Sequence, residues 1–235
     1  MTPESVAILF DLDGTLVHSS PDLAVAANRM LSRLDLPLVQ EEAVESWIGD
    51  GVRQLVHRCI TGKHDGRAEA DLVDTALEIF RSEYLDTGFR KTRLLEGSLK
   101  VLDALAAEGF PCALVTNKPL VPTLGVLEKF DLTRRFESIV CGNTFRVAKP
   151  APDPLFHALR TCRTRTGWMV GDSTTDSAAS LAAGLPFIAV RGGYGPESDP
   201  DRFPHRPTLL LERLEELLDS HGRPIEMLAH PPALS

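Results

Sequence analysis

Val6-Ala-Ile-Leu-Phe10 is an unbroken apolar run that stops at Asp11-Leu-Asp-Gly-Thr15, and comparable short runs recur at Pro111–Val115, Ser138–Cys141, Trp168–Val170 and Phe187–Val190. Strands buried on both faces read this way, because helices on either side of a parallel sheet exclude water from it. Between the runs the spacing changes to that of helices. Leu99, Leu102, Leu105 and Ala106 form one stripe, with Gly109 as its stop, and Leu120, Leu124 and Leu127 form another. The alternation predicts an α/β fold with a doubly wound, Rossmann-like parallel sheet.

Residues 20–89 break that alternation. Ser20-Pro21 predicts a helix start, with Ser as N-cap and Pro at the first helical position. Leu23, Ala27, Met30, Leu31 and Leu34 follow at helical spacing until Pro37. Further stripes run through Val52, Leu55, Val56 and Cys59, and through Leu72, Ala76, Ile79, Phe80 and Tyr84. The chain therefore divides into an α/β core of residues 1–19 and 90–220 and an inserted helical cap of 20–89. The alternative is three crossover helices packed on the sheet. Residues 221–235, with three prolines and little periodicity, are expected as a loose tail or an arm on a neighbour.

Composition narrows the function. The net charge of -8 opposes nonspecific binding to nucleic acid or to an anionic membrane, so an anionic substrate requires a local positive site. The four cysteines form no C-x-x-C pair, which argues against a zinc or dithiol site. No signal-peptide core or membrane-length apolar run is present. A cytoplasmic protein, monomer or homodimer, is expected.

The chemistry gathers where the apolar runs end, the position at which open α/β sheets bind ligands. Asp11 and Asp13 flank Leu12 and repel one another unless a cation or shared proton stabilises them. Mg2+, a hard ion that takes carboxylate and carbonyl oxygens, suits that position; a solvated acidic turn is the alternative. Thr116 and Asn117 follow the second run, where a hydroxyl and backbone amides can cradle phosphate oxygens. Lys149 precedes Pro150-Ala-Pro-Asp-Pro154, which can aim an ammonium inward. Gly171-Asp172 follows the fourth run, with Asp176 four residues on. Asp172 completes a cation shell or simply caps a helix; Asp176 braces Lys149 or a metal-bound water.

Asp11-Leu-Asp-Gly-Thr15, Thr116, Lys149 and Gly171-Asp172 with Asp176, in that order, resemble the four motifs of the haloacid dehalogenase superfamily. Val115-Thr-Asn-Lys-Pro119, Trp47-Ile-Gly-Asp-Gly51 and Lys149-Pro-Ala-Pro-Asp-Pro154 look more narrowly like the phosphoglycolate phosphatase group within it. The resemblance implies that Asp11 is a nucleophile, and that Asp13 is a general acid and base with a carboxyl raised relative to Asp11. It also implies Mg2+ on the Asp11 and Asp172 side chains and the Asp13 carbonyl, with Thr116, Asn117 and Lys149 on the phosphoryl oxygens. The expected substrate is a small phosphorylated metabolite, 2-phosphoglycolate first, ahead of sugar phosphates or a pyrophosphate. A phosphosugar mutase and a phospho-ligand binding protein are the alternatives. Gly49-Asp50-Gly51 is a turn placed to reach over the site and Arg53 a partner for a substrate carboxylate, or else an ordinary turn and a solvated arginine. One departure stands out: Val17-His18-Ser19 replaces the usual Val-Asp-Ser where the core hands over to the cap.

Overall fold

The computed structural model describes residues 5–194 and 200–232. Six parallel strands form the main sheet: β1 (Val6–Phe10), β4 (Cys112–Val115), β5 (Ser138–Val140), β6 (Thr166–Gly171), β7 (Phe187–Val190) and β8 (Leu209–Leu211). Their order is β5-β4-β1-β6-β7-β8. Every residue of β1, β4 and β7 is buried, as the unbroken apolar runs require. The chain winds outward from β1 through β4 and β5, then crosses back to β6 on the other side of β1. That reversal leaves a crevice at the carboxyl end of β1, where Asp11 and Asp13 sit. Helices α5 (Ser98–Ala107), α6 (Leu120–Lys129), α7 (Asp153–Thr161) and α8 (Thr174–Ala183) connect the strands.

Two short strands, β2 (Val17–His18) and β3 (Arg93–Leu94), pair antiparallel where the chain leaves and rejoins the core. Between them lie α1 (Ser20–Arg33), α2 (Glu41–Glu45), α3 (Val52–Thr61) and α4 (Ala70–Asp86), which pack on one another.

Several local expectations change. Ser19, not Ser20, is the N-cap of α1, and its side chain makes no capping bond. Instead the Tyr194 hydroxyl accepts from the Ser19 and Ser20 amides at 2.7 and 3.0 Å, satisfying two orphan donors. The stripe of α4 is Val73, Ala76, Leu77, Phe80 and Tyr84, a cleaner helical spacing that leaves Leu72 and Ile79 half-buried. On α6 the buried residues are Thr123, Val126 and Leu127, while Leu120 and Leu124 are exposed; Gly125 must face the Phe89 ring, which fixes the rotation of the helix. On α5, Ala106 lies outside the buried stripe of Val101, Leu102 and Leu105. Residues 221–232 are not a loose tail. A 3-10 turn at Glu226–Ala229 buries Leu228 completely, and the Leu228 carbonyl accepts from the buried Trp168 indole Nε1 at 3.1 Å. A buried indole N–H needs such an acceptor.

Candidate active site

Asp11 follows β1 directly and is buried. Its Oδ1 lies 2.9 Å from Lys149 Nζ without hydrogen-bond alignment and has no other partner among the described residues. Burial raises the Asp11 carboxyl to about 6; Lys149 pulls it down and Asp176 pushes it up. Lys149 Nζ also reaches Asp176 Oδ1 at 2.6 Å and the Val115 carbonyl at 2.6 Å. Burial works against that ammonium, yet Asp11 and Asp176 hold it above the ordinary lysine range.

Asp176 thus braces Lys149. Its other oxygen accepts from the amide and hydroxyl of Ser173, and the Ser173 hydroxyl accepts from the Asp176 amide, a reciprocal capping box at the start of α8. Because Ser173 caps the helix, Asp172 is free to face Asp11. Asp172 accepts from the Thr15 hydroxyl at 2.8 Å and the Tyr194 amide at 2.7 Å. Burial, then repulsion from Asp176 and Asp11, raises its carboxyl well above the usual range. A Cβ on Gly14, whose φ is +88°, would collide with the Asp172 carboxyl, so the turn of the first motif is shaped around it.

One oxygen each from Asp11, Asp172 and Asp176 lies within 4.8 Å of the others. Among the described residues one ammonium, Lys149, pairs with Asp11 and Asp176, none pairs with Asp172, and Asp11 Oδ1 lacks a hydrogen-bond donor. That donor set, all hard oxygens and short of positive charge, fits a divalent cation.

Asp13 is paired with a lysine. Both its oxygens contact Lys118 Nζ, at 2.9 and 3.1 Å, and Oδ1 accepts from the Ser19 hydroxyl at 2.5 Å. Lys118 itself is buried, with the Tyr84 ring of α4 4.7 Å from its Nζ. Sequence reasoning quoted Lys118 but gave it no role, and treated Tyr84 as core; a lysine so close to the second motif was the available signal.

Thr116 lines the same cavity as Asp11, and its hydroxyl accepts from the Lys118 amide at 3.2 Å. Asn117 Nδ2 donates to the Lys149 carbonyl at 2.9 Å and to the Gly49 carbonyl at 3.1 Å, tying the core to the turn between α2 and α3. Asp50 adds a second tie: one oxygen accepts from Thr175 of α8 at 2.7 Å and the other meets the buried Arg58 at 2.5 Å. Gly49, Asp50 and Gly51 line the same cavity as Asp11. Arg53 lines the cavity but pairs with Asp74 at 2.5 Å, both side chains more than half exposed. His18 sits in the β2–β3 linker, with Nδ1 3.3 Å from the Tyr194 hydroxyl, outside the carboxylate cluster. Arg58 and Tyr194 were missed, since nothing in their sequence context separates them from ordinary core and surface residues; Thr15 and Thr175 stand inside the first and fourth motifs but were given no role.

Residues 8–190 match the family model of haloacid dehalogenase-like hydrolases. The chain belongs to this family. Among haloacid dehalogenase-like relatives, the phosphoglycolate phosphatase of Nitrosospira multiformis is 39% identical over 195 residues, covering 82% of this chain and 86% of that one. Phosphoglycolate phosphatase 1 of Pseudomonas aeruginosa is 34% identical over 235 residues, covering 97% and 84%. A crystal structure of a predicted phosphoglycolate phosphatase from Haemophilus somnus superposes with a TM-score of 0.79 at 28% identity, covering 91% of this chain and 96% of that one. No helix among the described residues is long and apolar enough to cross a membrane.

Proposed function

We propose that this haloacid dehalogenase-like hydrolase is a Mg2+-dependent phosphatase acting on a small phosphomonoester through an aspartyl-phosphate on Asp11, with 2-phosphoglycolate the leading substrate. The observation that carries the reading is the buried Asp11 carboxyl, at the mouth of the central strand, beside Lys149 and the Asp172–Asp176 pair. The names of the relatives point to the same activity and supply the substrate.

In this reading Asp11 attacks phosphorus and the bond to the alcohol oxygen breaks, which divides a hard displacement into two easier ones. Asp13 donates the proton that the departing oxygen takes up, then removes one from the water that cleaves the acyl phosphate. Lys149, the Thr116 hydroxyl and the backbone at Asn117 stabilise charge on the phosphoryl oxygens; positioning and electrostatics dominate such transfers. The Asp11 and Asp172 side chains, with the Asp13 carbonyl, would hold Mg2+, which supplies Lewis-acid charge and offsets the carboxylate repulsion. Asp176 keeps Lys149 in place. Residues 20–89 serve as the cap over a core of 1–19 and 90–220, with Gly49, Asp50 and Gly51 closing on the substrate and Arg53 exchanging Asp74 for its carboxylate. The enzyme works in the cytoplasm as a monomer or homodimer, without nucleic acid or membrane as partner.

A panel of phosphorylated metabolites, assayed for inorganic phosphate with Mg2+ or with EDTA, tests this. Release from 2-phosphoglycolate that stops in EDTA and returns with Mg2+ is expected. Isomerisation of a sugar phosphate without release, or no turnover of any ester, would contradict it.

A further inference from the structure

The cavity that begins at Asp11, Thr116 and Lys149 is larger than its leading substrate needs. It measures about 620 Å³, within the range of about 300–1,000 Å³ typical of sites that enclose drug-sized ligands. The volume is not a gap left by an unseated cap, because Asp50–Thr175 and Asn117–Gly49 hydrogen bonds join the two sides. Away from the phosphate end its walls are apolar: Ile48, Leu55, Phe80 and Leu85 from the helical insertion and Val121 from α6. A two-carbon glycolate would leave most of that surface wet.

The cavity also contains an uncommitted cation. Lys118, Lys149 and Arg53 line it and each has a carboxylate partner. Arg81, next to Phe80 on α4, lines its exposed edge, and among the described residues it makes no ion pair or side-chain hydrogen bond. A guanidinium beside an apolar wall is suited to an anion brought in by the ligand.

We propose that the leaving-group side of this cavity is a recognition subsite that admits, besides 2-phosphoglycolate, phosphomonoesters of bulky, largely apolar primary alcohols ending in an anionic group, with Arg81 as the partner of that group. The proposal rests on the phosphatase reading for turnover, but its binding component can be measured separately.

Three esters with primary alkyl leaving groups test it: 2-phosphoglycolate, 4-carboxybenzyl phosphate and the neutral methyl ester of the latter. With Mg2+, kcat/KM for 4-carboxybenzyl phosphate is expected to equal or exceed that for 2-phosphoglycolate; a value more than about ten-fold lower overturns the subsite. In Arg81→Ala, the ratio of kcat/KM for the acid over its methyl ester is expected to fall by about ten-fold, the loss of one charge-assisted contact. An unchanged ratio removes Arg81 from the role. Calorimetry on the wild-type protein with the inert 4-carboxybenzylphosphonate is expected to show binding at least about ten-fold tighter than methylphosphonate, from the buried ring; equal affinities overturn the proposal. Tight phosphonate binding with no phosphate released from any ester would reject the phosphatase reading and leave the subsite standing.

Discussion

The first motif packs its constraints into five residues. Asp11 is the nucleophile of the proposed reaction, Asp13 its acid and base, and Gly14 the turn that lets Asp172 approach. Gly14→Ala places a methyl group into the Asp172 carboxyl at a φ of +88°. It should weaken Mg2+ binding by about 10–100-fold, as disturbed support of a ligand typically does. A Mg2+ titration of activity checks this, and an unchanged midpoint would count against Asp172 as a ligand. Lys118→Met leaves the largely buried Asp13 carboxylate without its ammonium. It is expected to destabilise the fold by about 3–5 kcal/mol in urea unfolding. Adding Asp13→Asn should recover part of that loss; strict additivity would mean the pair is not coupled. The carboxylates were legible in the sequence because two acids at the end of a buried strand demand an explanation. Lys118 and Tyr194 were not, since each acts through a partner about a hundred or more residues away.

At the level of elements, the central strands were legible for a plain reason: β1, β4 and β7 are buried on both faces, and nothing but apolar residues fits there. Edge strand β8 escaped notice, being three leucines soon after Pro207. The faces of α4 and α6 shifted because helix rotation is set by tertiary neighbours such as Phe89 against Gly125, which periodicity alone does not contain. The C-terminal segment was misread because its one deeply buried residue, Leu228, carries no repeating signal. Leu228→Ala should cost about 2–5 kcal/mol of stability by the same urea measurement; a loss well under 1 kcal/mol would mean the segment is dispensable to the core. Between the α2–α3 turn and α8, Thr175→Val removes the hydrogen bond to Asp50. The expected result is a raised KM with fold stability changed by only about 1 kcal/mol.

Across the whole molecule, a net charge of -8 surrounds a site that, in the proposed reaction, must attract an anion and a cation together. Lys149 and Lys118 supply the local positive charge, while Asp11 and Asp172 retain protons more tightly than ordinary carboxyls do. Their raised values mean that the metal-free fold binds more protons than the unfolded chain, whose aspartates titrate near about 3.9. This contribution to stability is full at acid pH and is lost as pH rises through about 6, the Asp11 value. Mg2+ competes with those protons. Its stabilisation, read as a shift in Tm, should therefore be larger near about pH 7.5 than near about pH 5; a shift that shrinks with rising pH would contradict the assignment of the cluster as the metal site. The most direct test of the account is phosphate release by Asp11→Asn on 2-phosphoglycolate with Mg2+, alongside circular dichroism of the same sample. The account predicts a native spectrum with turnover abolished, whereas turnover close to that of the unaltered enzyme would contradict it.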